Sequence, residues 1–425
     1  MKLFKKIRKE NKINYLFLSI PLFEKVFSKD KVEVFFRGIR VYQKKINIDF
    51  RPKLNINAKE ITLWVDHFAG GGAEFYFKNK LNELDEKDFV LRLQPIELGF
   101  YKFSIYGKNI QTQMTFKTLE EVKTFLSELE KFDVVVNNLC GYPDIGAVFD
   151  FIRGLKNKNK ITMMLHDYYS VCPGIFLLNE KTEFCNIPAA EKCRECFSKN
   201  PNIAPIFKKQ FADIHSWRNM WSDFYTNCTN EIIVFSESSR NILKKAYPHL
   251  ESKMKIEPHK ILEFKKIKKT LQKEKKEVIN IAVLGNANAI YKGKKIITRM
   301  ASLIKEKGIK DVKITVIGEY EGKNDVTATG KYDREDLPEL LTAHGADIVF
   351  VPSVCPETYS YTTSEAMTLG MPVACFDVGA SPERVKKYEK GLVISKIDAQ
   401  TALDEITDFV KQSCLKSPPS RRPET

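Results

Sequence analysis

Short apolar runs, most of them four to six residues long and rich in β-branched side chains, recur along this chain with polar residues at both ends. Residues 59–65, 133–137, 160–165 and 231–235 form one series, and residues 278–285, 312–318, 346–352 and 372–377 form a second. Runs of this length without alternation predict strands buried on both faces, as in a parallel sheet. Helical spacing of apolar positions fills the gaps, for example at residues 75–84, 294–307, 362–369 and 398–413. Strand and helix in alternation predict the α/β class, with two doubly wound, Rossmann-like domains at residues 61–260 and 278–397. The first carries a Cys-rich insertion at 172–196. Residues 1–60 read as a basic N-terminal extension, the lysine-rich 261–277 as a linker, and 398–425 as a helix followed by a tail of disordered composition. Ligands bind at the carboxyl ends of strands in such sheets, so the two domains are expected to face each other across a cleft that holds the site.

With 425 residues, 43% hydrophobic and 29% charged, the chain is long enough for two full cores, which excludes a largely disordered protein. The strongest apolar stretch near the start, residues 15–23, is broken by Pro21 and falls short of the roughly 18 residues of a membrane-spanning helix. No small-residue cleavage site follows it, so the expected location is cytoplasmic, where nine cysteines stay free or bind metal. Sixty-nine Lys and Arg against 54 Asp and Glu give a net charge of +15, which predicts an anionic partner. The excess gathers at residues 2–12 and 252–276. The first of these runs interleaves Leu3, Phe4 and Ile7, a pattern suited to peripheral docking on an anionic membrane surface, although both runs also suit plain solvated faces. Trp64, Trp217 and Trp221 lie outside any basic-aromatic alternation, so no nucleic-acid partner is expected.

Two segments carry the clearest chemistry. The loop Asp66-His-Phe-Ala-Gly-Gly-Gly-Ala-Glu74 joins a strand to a helix, and its glycines bring backbone N–H groups close to an anion at a helix N-terminus. A tight turn is the plain alternative. In Pro356-Glu-Thr-Tyr-Ser-Tyr-Thr-Thr-Ser-Glu-Ala-Met-Thr-Leu-Gly-Met-Pro-Val373, Glu357 stands before a helix starting near Thr362 or Thr363, and Glu365 lies in its first turn. Carboxylates accept hydrogen bonds from sugar hydroxyls while helix-end amides hold phosphate, so one segment could grip a nucleotide sugar.

The Glu-x7-Glu spacing followed by Ala-Met-x-x-Gly-x-Pro-Val resembles the donor-site signature of retaining glycosyltransferases of family 4, of the bacterial surface-polysaccharide type, which have the GT-B fold. Leu165-His-Asp-Tyr-Tyr-Ser-Val-Cys-Pro173, Pro258-His259, the stretch from Gly285 to Gly293 and Gly379-Ala-Ser-Pro-Glu383 agree with it, over residues 61–397. The resemblance implies that Glu365 bonds the donor ribose, that Glu357 faces the transferred sugar, and that Thr358, Tyr359, Ser360 and Tyr361 offer backbone amides. It further implies that Lys292 neutralises the leaving diphosphate, that His166 stands beside the reacting sugar, and that Gly71, Gly72 and Gly285 let backbone approach the phosphates. No cofactor is implied for catalysis. The implied partners are a UDP-, GDP- or dTDP-sugar and a glycan or lipid-linked acceptor, at the inner face of the cell membrane.

One departure is Asn286, where the family often has an Arg six positions before the Lys; either Lys294 or Lys295 substitutes for it or the diphosphate is held less tightly. Asn286 also keeps open a catalytically inactive binding protein, beside a nucleotide-sugar epimerase or hydrolase of the same fold. His166 alone would suit a satisfied core histidine, and Lys292 alone a solvated lysine. Cys172, Cys185, Cys193 and Cys196, the last pair at knuckle spacing, suit a structural zinc or buried free thiols.

Overall fold

The computed structural model describes the backbone of five strands within residues 4–45, and residues 60–415 apart from 69, 97–98, 109, 158, 212, 262, 265–277 and 323–325. The expected tail beyond 415, most of the expected linker and the side chains of the first 59 residues lie outside the described residues. Two compact units make up the chain, residues 1–162 and 163–425.

In the first unit, the strands Phe4–Lys9, Lys12–Phe17, Ile20–Phe27, Lys31–Phe36 and Ile39–Lys45 pair consecutively in an antiparallel sheet. The basic run at residues 2–12 therefore falls largely on two paired strands. A second sheet places Asp133–Val136, Glu60–Val65 and Asp88–Pro95 in parallel, and then adds Tyr101–Gly107 and Ile110–Phe116 antiparallel. The three strands at residues 88–116 carry no uniform apolar run. Arg92 and Gln94 interrupt the first of them, yet both are buried. Arg92 is tolerated there because its Nε donates to Asp66 Oδ2 at 2.9 Å, while Nη2 reaches the Glu74 carboxylate and the guanidinium lies 3.9 Å over the Phe77 ring. A buried charge without such partners would cost several kcal/mol (~3–5).

In the second unit, Glu231–Val234 pairs with Met254–Ile256 in parallel, and the Leu165 N–H donates to the Ile233 carbonyl. A six-stranded, all-parallel sheet follows, in the order Thr327–Ala328, Val312–Ile317, Ile279–Leu284, Ile348–Val351, Val373–Phe376, Gly391–Ile394. Both of its faces are buried, which explains the uninterrupted apolar runs. Ile281, Val283, Ile348 and Phe350 point into a core shared with the helices Lys294–Glu306 and Ala399–Leu415. Ala282, Val349 and Val351 point the other way, toward Leu337, Leu341, Ala366 and Val385. Each fully buried Val, Ile or Phe contributes about 1.5–3 kcal/mol. The cysteine-bearing insertion joins the first of these cores: Leu178 is buried within it, and the Phe176 ring stacks on Tyr291 at 3.7 Å and 15°.

Candidate active site

The strand Ile348–Val351 runs out into Pro352 and Ser353, and the chain then turns through Glu357 into the helix Tyr361–Thr368. At the turn, Glu357 Oε1 accepts from the Lys292 ammonium and, at 2.7 Å, from Ser353 Oγ. Its Oε2 is buried and has no hydrogen-bond partner among the described residues. The Glu357 side chain is 8% exposed and that of Lys292 42%. Burial alone would raise the Glu357 pKa, but the adjacent ammonium holds it below the usual carboxylate value. For Lys292, burial pulls the pKa down and the Glu357 charge outweighs it, so the ammonium is held more firmly than usual. The two groups expected to act on the sugar and the leaving group thus meet directly.

Two glycines make this meeting possible. Gly293 (φ +85°) follows Lys292 so closely against the chain that a Cβ would stand 2.2 Å from the Pro352 carbonyl oxygen. Gly379 (φ +74°) lies where a Cβ would come within 2.5 Å of the Glu357 nitrogen, and the next residue, Ala380, donates its N–H to the Glu357 carbonyl at 2.9 Å. Gly379→Ala is therefore expected to displace Glu357. The left-handed backbone alone costs about 1–2 kcal/mol. A lower Tm together with lost nucleotide binding is the expected result, whereas a native Tm and full binding would contradict the packing described.

Ser360 caps the helix Tyr361–Thr368 by accepting from the Thr363 N–H at 3.5 Å, which starts the helix one or two residues before the expected position and puts Glu365 in its second turn. The N–H groups of Thr358, Tyr359 and Ser360 have no acceptor among the described residues, as an anion site requires. Thr358 Oγ1 donates to the His166 carbonyl at 2.9 Å, so His166 is drawn to the same loop, its ring 4.7 Å from Phe235 and 5.7 Å from His259. The Tyr359 ring stacks on His259 at 4.5 Å, and the Tyr361 hydroxyl bonds His259 Nδ1. Glu365, 9% exposed, accepts from Arg334 Nε at 2.9 Å. Burial raises its pKa and the Arg334 charge opposes that without cancelling it.

Gly285, Asn286, Lys292, Ser353 and Thr362 line one cavity of about 90 Å³. Asn286 Nδ2 reaches Glu319 Oε2 at 3.4 Å. Neither expected substitute for its missing charge is turned to the Glu357 loop by a hydrogen bond: Lys294 bonds Asn288 Oδ1 and Lys295 bonds Thr182 Oγ1. Gly71 and Gly72 belong to the first unit, where Gly71 precedes the helix Gly72–Asn82 with open space around its α-carbon. Cys172, Cys185, Cys193 and Cys196 are free thiols around one cavity of about 420 Å³. Burial pushes the Cys172 thiol up to about 12. Among the described residues, no group of three or more His, Cys, Asp or Glu is placed so as to hold a metal ion.

Arg334, Arg384 and Ser353 escape a sequence reading, because each takes its role from a partner that only folding brings to it: Glu365, the Tyr359 ring and Glu357. The Arg384 guanidinium lies 4.2 Å over the Tyr359 ring, donates to Ser364 Oγ and reaches the Ser360 carbonyl at 3.2 Å.

Parallel sheets with a carboxylate, an ammonium and unpaired loop amides at a strand's carboxyl end define an α/β protein with its candidate site where such sheets bind ligands. Residues 263–422, less than half of the chain, match the family model described as Glycosyl transferases group 1. No curated protein is a detectable sequence relative of the chain. Sucrose-phosphate synthase from Thermosynechococcus elongatus superposes with a TM-score of 0.53 at 15% identity, over 84% of this chain and 91% of that one. The HepE protein of Anabaena in complex with UDP-glucose gives 0.52 at 13% identity, over 83% and 90%. A glycosyltransferase from Rickettsia africae ESF-5 gives 0.50 at 13% identity, over 85% and 90%. At such identities the likeness shows the fold, which is the two-domain, Rossmann-like GT-B fold. Family match and fold together support a glycosyltransferase.

Proposed function

We propose that this chain is a retaining glycosyltransferase that moves a hexosyl unit from a nucleoside-diphosphate sugar to a glycan or lipid-linked glycan in cell-surface polysaccharide synthesis. One observation carries the reading: Glu357 has one oxygen tied to Lys292 and Ser353 and the other buried with no partner among the described residues. Such an acceptor stays costly until a ligand hydroxyl donates to it. The bare amides of Thr358, Tyr359 and Ser360 would hold the diphosphate, and Glu365 would take the ribose hydroxyls. In the transfer, an acceptor hydroxyl oxygen bonds the anomeric carbon from the side the leaving group departs. The carbon–oxygen bond to phosphate breaks with its electron pair going to the diphosphate, and the hydroxyl proton passes to a phosphate oxygen. Lys292 answers the charge that grows there.

UDP is the donor nucleotide proposed, since UDP-glucose occupies the HepE complex of the same fold. A thermal-shift panel of UDP, GDP, dTDP and their sugars tests it: about 100 Kd of a ligand that binds only the folded state adds about 2.7 kcal/mol. UDP is expected to raise Tm and the other two to do so less. No rise with any nucleotide would end the reading, and donor consumption that needs no acceptor would favour a hydrolase or epimerase. Cytoplasmic work at the membrane surface is part of the proposal. Among the described residues no helix is long and apolar enough to cross a membrane.

We also propose that zinc staples the insertion, supported by all four thiols lining one cavity. As placed they form no metal-binding group, so taking up zinc would require the thiols to converge. Purified protein is expected to carry close to one zinc per chain, and less than roughly a tenth of an equivalent would exclude the staple.

A further inference from the structure

The charges of the site balance in an instructive way. Lys292 is paired with Glu357, and Arg334 with Glu365, so these four groups leave the site neutral. A nucleoside diphosphate brings two to three negative charges (roughly), and a neutral site attracts it poorly. Asn286, which shares the cavity of Lys292, adds no charge.

One cation at this loop is not balanced. Arg384 follows Pro382 and Glu383 in the short helix Ser381–Val385 and is half-buried. Among the described residues no carboxylate comes within ion-pair distance of it, and two of its N–H groups go to Ser364 Oγ and the Ser360 carbonyl. The neighbouring carboxylate is engaged elsewhere, because Glu383 accepts from the Glu237 N–H at 3.2 Å and from the Ser238 N–H, at the start of the helix Glu237–Ala246. A guanidinium taken from water without a counter-ion is costly, and it persists where something anionic completes it. Its partners here are the residue that caps the helix Tyr361–Thr368 and a hydroxyl one turn further on, so its charge adds to the positive end of the helix that carries the bare amides. Stacking on Tyr359 fixes the guanidinium plane behind that loop.

We propose that Arg384 is the second positive charge of the donor site, a positioning residue that acts through the Ser360-capped helix end to hold the donor diphosphate where Asn286 cannot. The inference rests on the donor-site reading above. It assigns the role to a residue 98 positions from Asn286 in the sequence and excludes Lys294, the nearest alternative.

The test is calorimetric binding of UDP, inorganic pyrophosphate and uridine to the full chain. Arg384→Gln is expected to weaken UDP and pyrophosphate about 10- to 100-fold and to leave uridine unchanged. Adding Asn286→Arg to that variant is expected to bring UDP back to within about threefold, since it places a positive charge in the cavity that Lys292 lines. Lys294→Gln is expected to change UDP affinity by less than about threefold. Equal losses for uridine and UDP would mark Arg384 as structural only. Full UDP affinity in Arg384→Gln, or a larger loss in Lys294→Gln, would overturn the proposal. Should Arg384→Gln not fold, Arg384→Lys replaces it: the kept charge is expected to keep UDP within about tenfold, and a greater loss overturns the electrostatic role. Wild-type protein that binds neither UDP nor pyrophosphate would instead refute the donor-site reading itself.

Discussion

Lys292→Met is expected to lower kcat by about 10² to 10³, or about 2.7–4 kcal/mol of transition-state stabilisation, with a smaller change in KM. The ammonium stands next to Glu357, the carboxylate proposed to face the sugar, so on that reading its loss removes charge where the diphosphate would depart. The cost to folding is expected to be about 3 kcal/mol despite the 42% exposure of the Lys292 side chain, because Met leaves the Glu357 carboxylate, 8% exposed, without its cation. The pH dependence of that cost has a defined sign. Glu357 has a folded pKa below its ordinary 4.5, so its contribution is complete above that value and fades as pH falls through the folded value. Lys292 has a folded pKa above its ordinary 10.5, so its contribution is complete below that value and fades as pH rises through the folded one. The stability difference between wild type and Lys292→Met should therefore be flat between those limits and shrink outside them. Denaturant melts across pH measure it. An unchanged kcat in Lys292→Met would remove the lysine from the reaction.

Glu365→Ala is expected to abolish nucleotide binding. A carboxylate that accepts from two ribose hydroxyls contributes about 1.5–3 kcal/mol per charged hydrogen bond, so affinity should fall more than about a hundredfold. Arg334, 17% exposed, then keeps Glu335 but loses its buried carboxylate partner, so Glu365→Gln, which keeps the shape and an acceptor oxygen, separates binding from folding. The raised pKa of Glu365 gives this site the opposite acid behaviour to Glu357. As pH falls through its folded value the folded chain takes up a proton more readily than the unfolded one, so the fold gains stability there while the ribose loses its acceptor. UDP affinity should thus weaken on the acid side before the Glu357 pairing fails, and in Glu365→Gln that acid limb should vanish. Wild-type affinity for UDP in Glu365→Ala would contradict the assignment.

The C-terminal half was legible because its physics is repetitive. Strands buried on both faces must be apolar throughout, and the runs at 278–285, 312–318, 346–352 and 372–377 lie within a residue or two of the strands formed. The Glu357 and Glu365 spacing was readable for the same kind of reason, since a strand end and a helix start fix where two side chains emerge. The first unit hid more. Arg92 disguises the strand Asp88–Pro95, because the two carboxylates that make its burial tolerable lie 26 and 18 residues away in sequence. Arg334 and Arg384 were invisible likewise: each gains its meaning from a contact across the fold, with Glu365 in one case and the Tyr359 ring in the other. Sequence spacing reports neighbours along an element, and these are neighbours through packing.

The stacking of Phe176 on Tyr291 sets where this protein can be divided. A fragment beginning at residue 278 would keep every strand of the parallel sheet and yet leave the Tyr291 ring and the pocket of Leu178 open to water, one residue away from Lys292. Swapping the C-terminal half into a related enzyme to change its donor would meet the same defect. The portable piece is therefore discontinuous, and any chimera has to bring residues 172–196 along with the segment it borrows.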